Sequence, residues 1–405
     1  FLDGPQYSAP VEVRESPGRG RGLFTTRKVA AGDLLLCEKA FGYTFVDKDG
    51  ASQHRTTILM NLVTKRSMAG GQADLLSQLV QKLYHEPEAA KSFTKLYHGD
   101  YSAVPVDEVD GKPVVDSFLI ERIMALNVFG APKTSRSSVT LTPDTTPDQN
   151  ETSSLAYFET CGIWYLASYI NHACVSNCRR SFIGDLQIVR AAKDLDEGTE
   201  LFFWYQIPRM HEPYHQSQKQ FENWGFKCEC PLCLDRKSTS NATALKRKTL
   251  HMDLTRVMGN KVINASKAQQ VLQSLEQTYS ASALRSGSVR LELWDPYFAL
   301  GHALSARRNC PLEALEMILK GFEALGFAFV ASPRLGTVKS QKAKLEIKQW
   351  GLPNDFTMIL FLQMSQLYMK PAPSPSKTAA SHAKTAYATI AGEKETFTDA
   401  YPEFK

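Results

Sequence analysis

Three cysteines within six residues constrain this chain more than any other feature: Cys228-Glu-Cys230-Pro-Leu-Cys233. Three free thiols so close together have no packing reason, and in a reducing compartment clustered thiolates bind metal. A structural zinc site takes four ligands in a tetrahedron, so this segment needs a fourth from elsewhere. The remaining cysteines are scattered, at Cys37, Cys161, Cys174, Cys178 and Cys310. A disulfide scaffold would spread its cysteines more evenly over a shorter chain. The start, Phe1-Leu-Asp-Gly-Pro5, is neither basic nor followed by an apolar stretch, so no secretory leader is expected. With no initiator Met, the chain reads as a piece of a longer protein. Cytosol or nucleus is the expected location.

The 405 residues suggest two or three domains at about 100–200 residues each. Apolar residues at 43% and charged residues at 22% are a globular composition with material for a sizeable core. No run of about 18 apolar residues occurs, so no membrane span is expected. The net charge of +5 is too small to argue for direct nucleic-acid binding.

Along the chain, Val11-Glu-Val13 alternates, Ser16 to Gly22 is a turn, and Leu34 to Cys37 is an apolar run, so residues 10–46 read as short strands. Residues 53–98 read as two helices divided by Gly70-Gly71, the first carrying Leu59, Leu62 and Val63, the second Leu75, Leu76, Leu79, Val80 and Leu83. A further helix is predicted over 114–129. The Ser/Thr/Pro-rich stretch 131–154 reads as a flexible loop. Residues 155–170 read as helical. Strands follow at 179–183 and 186–190, joined by Gly184-Asp185, and at 200–205. From about residue 240 the pattern is helical throughout. Leu300, Leu304, Leu312, Leu315, Ile318 and Leu319 mark a helix pair with a faint tetratricopeptide-like pattern, and an Ala-rich helix at 377–392 follows a break from Pro371 to Pro375.

Four segments, in this order, resemble the SET-domain protein lysine methyltransferases. They are Arg19-Gly-Arg-Gly22-Leu-Phe24, Asn171-His172-Ala-Cys174-Val-Ser-Asn177, Glu200-Leu-Phe-Phe-Trp-Tyr205 and Phe226-Lys-Cys228-Glu-Cys230-Pro-Leu-Cys233. The subfamily resembled is SMYD-like. The resemblance implies an α+β fold: a SET-type β-rich core of short strands, split by a helical insertion, then an all-α, tetratricopeptide-like C-terminal domain. The expected division is 1–50 and 116–207 for the SET core, 51–115 for the insertion, 208–237 for a post-SET zinc loop and 238–405 for the helical domain. The chain departs from the subfamily in having no Cys/His-rich MYND finger, since residues 38–160 contain no cysteine, and in carrying the extra 131–154 stretch. Trp224 also stands where the subfamily often has Tyr.

The function implied is methyl transfer from S-adenosylmethionine to a lysine of a protein, histone or non-histone, by a monomer in the nucleus, the cytoplasm or both. By the same resemblance, Arg19, Gly20, Arg21 and Gly22 form the first cofactor loop. Asn127, Ser168, Asn171, His172 and Phe226 also contact the cofactor. Tyr205 is the catalytic tyrosine, touching both cofactor and lysine, and Phe129 and Trp224 line the lysine channel with it. Cys174 joins Cys228, Cys230 and Cys233 on one zinc ion, with Cys178, one turn further on, as the rival. Cys37, Cys161 and Cys310 are expected as buried apolar thiols. The alternative function is a SET-fold module that binds a lysine-bearing partner without turnover.

Overall fold

The computed structural model describes residues 6–45, 58–62, 65–102, 107–109, 111–131, 160–259, 263–280, 287–307, 311–332, 344–369 and 372–402. The architecture is α+β, with short strands in the first half and a helical C-terminal region. Strands β1 (Val11–Ser16) and β2 (Gly20–Thr25) pair antiparallel, Val11 opposite Thr25 and Ser16 opposite Gly20. The chain continues through β3 (Leu34–Lys39) and β4 (Gly42–Thr44) to a small hairpin, β5 (Ile58–Met60) and β6 (Ser67–Ala69).

That hairpin replaces the first helix expected within 53–98. Its apolar run is too short for spacing to separate the two periods. The ladder Ile58–Ala69 to Met60–Ser67 is extended by the Asn61 N–H donating to Arg66 O at 2.8 Å. Helix begins only at α1 (Gly71–His85), which buries Ala73, Leu75, Leu79 and Leu83 on one face, and continues in α2 (Pro87–Phe93). A two-residue pair, β7 (Glu108–Val109) and β8 (Lys112–Pro113), precedes α3 (Ser117–Asn127). The Asp116 carboxylate accepts from the Phe118 and Leu119 amides, both at 3.0 Å, and so caps that helix.

Strand β9 (Phe129–Gly130) follows α3 directly and pairs with β10 (Cys161–Ile163), which also pairs with β4. The helix expected at 155–170 is therefore absent from the described part of that segment. Cys161, Gly162 and Ile163 are buried, so this strand reads as an unbroken apolar run that mimics a buried helix. The expected 131–154 loop lies, from residue 132, outside the described residues. A single 3-10 turn, Ala167–Tyr169, leads into β11 (Asn171–His172). The predicted hairpin is present as β12 (Cys178–Ile183) and β13 (Leu186–Ala191), with β13 central between β12 and β3. The strand expected at 200–205 shortens to β14 (Phe202–Phe203), which runs parallel to β11 with Asn171 opposite Phe202 and His172 opposite Phe203. The core beneath includes Leu23, Leu35, Leu36, Trp164, Val189 and Phe203.

After α4 (Tyr214–Lys219) and α5 (Pro231–Ser238) come α6 (Asn241–Met258), α7 (Ala265–Glu276), α8 (Leu291–Ser305) and α9 (Pro311–Ala324). Helices α8 and α9 cross closely: a Cβ on Gly301 would lie 2.8 Å from Ile318 Cγ1, and one on Gly321 would lie 2.3 Å from Phe298. One antiparallel pair, β15 (Ala328–Ser332) and β16 (Lys344–Gln349), interrupts the helical region. The alternation of Leu345 and Ile347 with Lys344, Glu346 and Lys348 is the strand signal that the helical reading passed over, while Ala328 to Ala331 is a short unbroken apolar run. Then come α10 (Asp355–Tyr368), α11 (Pro373–Ala391) and α12 (Phe397–Ala400). Pro373 and Pro375 fall in the first turn of α11, where a missing N–H costs little.

The helical region is tied to the sheet by named bonds. Arg179 donates to Pro353 O at 3.0 Å and pairs with Asp355; Arg190 donates to Gly392 O at 3.1 Å. No helix among the described residues is long and apolar enough to cross a membrane.

Candidate active site and metal centre

The short β11 strand carries the site because its neighbours demand it. Asn177 Nδ2 donates to Glu200 O at 2.7 Å and Asn177 Oδ1 accepts from Phe202 N at 2.8 Å, so the residues after β11 clamp the residues of β14. This brings Asn171, His172 and Cys174 to one edge and Tyr205 to the next.

Cys174, Cys228, Cys230 and Cys233 are all buried, and their sulfurs lie within 4.8 Å of one another. The sulfurs of Cys174 and Cys228 are 3.9 Å apart, those of Cys174 and Cys233 3.6 Å. A tetrahedron with zinc–sulfur bonds of about 2.3 Å has sulfur–sulfur edges of about 3.8 Å. The donor set therefore fits one zinc ion, with four protein ligands and no open position. The rival, Cys178, is excluded from this set; its thiol donates to Phe202 O at 3.4 Å, and burial pushes its pKa up. Of the thiols expected to be buried and apolar, Cys161 is buried, Cys37 is half-buried, and Cys310 lies outside the described residues. The cysteine cluster packs on Phe221, Leu232 and, from α8, Leu291.

A buried polar network continues that seam. Glu292 on α8 accepts from the His211 amide at 3.0 Å and from the Tyr279 hydroxyl. Burial pushes the Glu292 carboxyl up, but these hydrogen bonds outweigh it and hold the pKa below its ordinary value. Arg247 lies 3.6 Å from the centre of the Tyr279 ring, and Arg236 pairs with Glu212 at 3.5 Å. The helical region thus holds the loop that carries three of the four cysteines.

At the first glycine loop, Gly20 has φ +76. A Cβ on Gly22 would lie 2.6 Å from Glu200 Oε1 and 3.2 Å from Asn171 Nδ2. Asn171 Nδ2 donates to Glu200 Oε1 at 2.8 Å and to Arg21 O at 3.1 Å. Both amide hydrogens are spent on oxygens that can only accept, so among the described residues the carbonyl oxygen is the group left without a partner. Arg19 pairs with Glu200 at 3.3 Å and covers the Phe202 ring. Arg21 is engaged elsewhere, with Lys95 O and the Tyr169 hydroxyl. Ser168 donates back to Trp164 O at 2.8 Å.

Tyr205 is held at both ends. Its amide donates to His172 Nδ1 at 2.9 Å and its hydroxyl to Ile170 O at 3.0 Å. Burial pushes its pKa well up, so the side chain is a neutral phenol. Around it stand Trp224, with ring centres 5.4 Å apart, Phe226 at 6.2 Å and His172 at 5.3 Å. Trp224 Nε1 donates to Leu126 O at 3.0 Å, and Phe226 stacks on Phe221 at 5.2 Å. Asn127 spends its amide on Tyr97 O at 2.8 Å and Ile123 O at 2.7 Å. Phe129 packs edge-on against Trp164 and Phe203, beneath Arg180.

Two supporting carboxylates were not singled out from sequence. Glu200 orients Asn171, and Glu38 on β3 accepts from the Leu166 and Ala167 amides at 2.8 and 3.1 Å, anchoring the segment before β11. Burial pushes Glu38 from 4.5 up to about 7, against the pull of those amides. A folded pKa above the unfolded one means the native state holds more protons between the two values, so stability falls as pH rises through that window. The shift corresponds to about 3 kcal/mol. Thermal melts from about pH 5 to 8 are expected to show a flatter decline for Glu38→Gln than for the unaltered chain. Parallel declines would mean that Glu38 does not titrate in this range.

The SET domain family matches residues 20–206. The chain is 46% identical over 398 residues to a protein named Methyltransferase from Gibberella zeae, which is 98% of this chain and 54% of that protein. It is 25% identical over 180 residues to the Protein-lysine N-trimethyltransferase SMYD5 of Gallus gallus, 43% of this chain and 42% of that protein. For the protein of that name from Homo sapiens the identity is 26% over 180 residues, 43% of each chain. The chain spans about half the length of the curated relatives it matches. The strands that place Asn171, His172 and Tyr205 side by side fall inside the matched stretch, and residues 20–206 of this chain are a SET domain.

Proposed function

We propose that this chain transfers a methyl group from S-adenosylmethionine to a lysine side chain of a protein. The observation that carries this reading is the neutral Tyr205 phenol, fixed by Ile170 O and His172 between the Asn171 edge and the aromatic wall of Trp224 and Phe226. The relatives named as methyltransferases support it.

When bound, the cofactor supplies a methyl group already activated by its sulfonium, so the protein's task is alignment and presentation of a neutral amine. The Asn171 carbonyl oxygen, left free by Glu200 and Arg21 O, suits an ammonium group. Arg19, with one guanidinium nitrogen on Glu200 and a side chain 44% exposed, suits a carboxylate. Gly22 keeps the backbone bare where any side chain would push Glu200 off Asn171. On the substrate side, Trp224 and Tyr205 desolvate the lysine, whose solution pKa is about 10.4, and burial beside a cation favours loss of its proton. The Tyr205 oxygen has already donated its proton to Ile170 O, so its lone pairs are available for weak C–H···O contacts that orient the methyl group.

Cys174, Cys228, Cys230 and Cys233 would hold one zinc ion in a structural role. Their shared coordination would tie the segment of Phe226 and Trp224 to the residues just after His172, so site assembly would depend on metal loading. Histone and non-histone proteins both remain candidate substrates.

A lysine-containing peptide array, incubated with the zinc-loaded chain and methyl-labelled cofactor, is expected to take up label. Binding of S-adenosylhomocysteine without any incorporation would favour the non-catalytic binding module. A sharper test of the cofactor loop is Gly22→Ala. Its methyl displaces Glu200, so the dissociation constant for S-adenosylhomocysteine is expected to rise about tenfold, which is roughly 1.4 kcal/mol. Calorimetry showing unchanged affinity would remove Glu200 and Asn171 from the cofactor site.

A further inference from the structure

The His172 ring has no spare nitrogen. Nδ1 accepts the Tyr205 amide proton at 2.9 Å, and a nitrogen that accepts cannot also carry a proton. In the neutral ring the proton is therefore on Nε2, which lies 3.4 Å from the Cys174 sulfur. The residue is 5% exposed. Phe221 covers it at 4.2 Å between centres, and Phe226 and Tyr205 close the remaining sides at 5.7 and 5.3 Å. It cannot turn to offer either nitrogen to a ligand without breaking one of these bonds. Any contact of His172 with the cofactor therefore falls to its main chain.

We propose that His172 is a positioning residue that couples the cysteine metal centre to Tyr205. Its Nε2–H donates to the metal-bound thiolate of Cys174, which fixes the tautomer; the fixed tautomer presents Nδ1 to the Tyr205 amide and sets the main chain of that residue. Hydrogen bonds to metal ligands orient the ligand and tune the metal, and their loss typically costs 10–100-fold in metal affinity. Here the same ring also holds the residue placed at the reacting centre. Loading of the metal and placement of Tyr205 then become one event. The catalytic meaning of Tyr205 rests on the methyl-transfer reading; the two bonds of His172 do not.

Two conservative variants of the full chain separate the bonds. In His172→Asn the side-chain oxygen reaches the position of Nδ1 but nothing reaches the sulfur. In His172→Gln the amide reaches the position of Nε2 but leaves Nδ1 unreplaced. Each is loaded with Co(II) in place of zinc and read by its thiolate-to-cobalt charge-transfer band, by metal loss to a competing chelator, and by amide exchange resolved at Tyr205. For His172→Asn the band is expected to shift and metal affinity to fall about 10–100-fold, with Tyr205 exchange within about twofold of the unaltered chain. For His172→Gln the band and affinity are expected to hold while Tyr205 exchange quickens by at least about tenfold. Equal changes of both readouts in both variants, as general loosening would give, overturn the proposal. So does no change in either. None of these readouts requires methyl transfer, so failure of the enzymatic reading would leave this test intact.

Discussion

Replacing Tyr205 by phenylalanine is expected to lower methyl transfer at least about a hundredfold while leaving the chain folded and able to bind S-adenosylhomocysteine. The substitution removes one oxygen. The ring keeps its packing against Trp224, Phe226 and His172, and the main-chain bond to His172 Nδ1 is untouched. What is lost is the hydroxyl that donates to Ile170 O at 3.0 Å and holds lone pairs at the proposed transfer site. The carbonyl of Ile170 loses a partner, which costs about 1 kcal/mol of stability. The expected pattern is thus a large fall in kcat, little change in cofactor affinity and a small change in Tm. Because burial pushes this phenol's pKa far up, the unaltered chain should show no activity step from Tyr205 ionising near neutral pH. Retained turnover in Tyr205→Phe on a verified substrate would remove Tyr205 from the chemistry.

The second large effect is on the metal. Cys174→Ala is expected to lose stoichiometric zinc, whereas Cys178→Ala is expected to keep it. Structural zinc contributes roughly 10–16 kcal/mol in small zinc domains, so one missing thiolate removes a large share of what orders the loop. In this chain that loop carries Phe221, Trp224 and Phe226, and its collapse would uncover His172 and Tyr205. Cys178→Ala instead removes a buried thiol whose partner is Phe202 O at 3.4 Å, far from a complete donor set. Metal content by mass spectrometry after desalting distinguishes the two. Zinc retained in Cys174→Ala and lost in Cys178→Ala would reverse the ligand assignment.

The parts of the site legible from sequence were those whose chemistry forces a local spacing. Three thiols within six residues have no packing reason other than a shared ion, so Cys228, Cys230 and Cys233 announced a metal centre. Asn171, His172 and Cys174 share one short strand and its exit, so they too fell in a recognisable string. Glu200 stood inside a recognised segment, yet its task was hidden because its partners, Arg19 and Asn171, come from other parts of the chain. Glu38 was invisible for the same reason: the amides of Leu166 and Ala167 that it holds lie more than a hundred residues away. The two ring bonds of His172 were equally hidden, since a histidine in a cofactor motif does not reveal which nitrogen meets what. The misread elements were short. Ile58–Met60, Ser67–Ala69 and Cys161–Ile163 are strands of three residues each, too brief for apolar spacing to tell a strand from a helical turn. Longer helices such as α8, α9 and α11 have enough turns for the period to show.

The most direct test of lysine methyl transfer by this SET domain is to locate the transferred group. The zinc-loaded chain is incubated with cofactor carrying a deuterated methyl group and with a protein or peptide that takes up label, and the product is read by tandem mass spectrometry. The account predicts the label on a lysine Nζ, with S-adenosylhomocysteine formed in step. Label on another residue type, or no label on any substrate while zinc and S-adenosylhomocysteine are both bound, would contradict it.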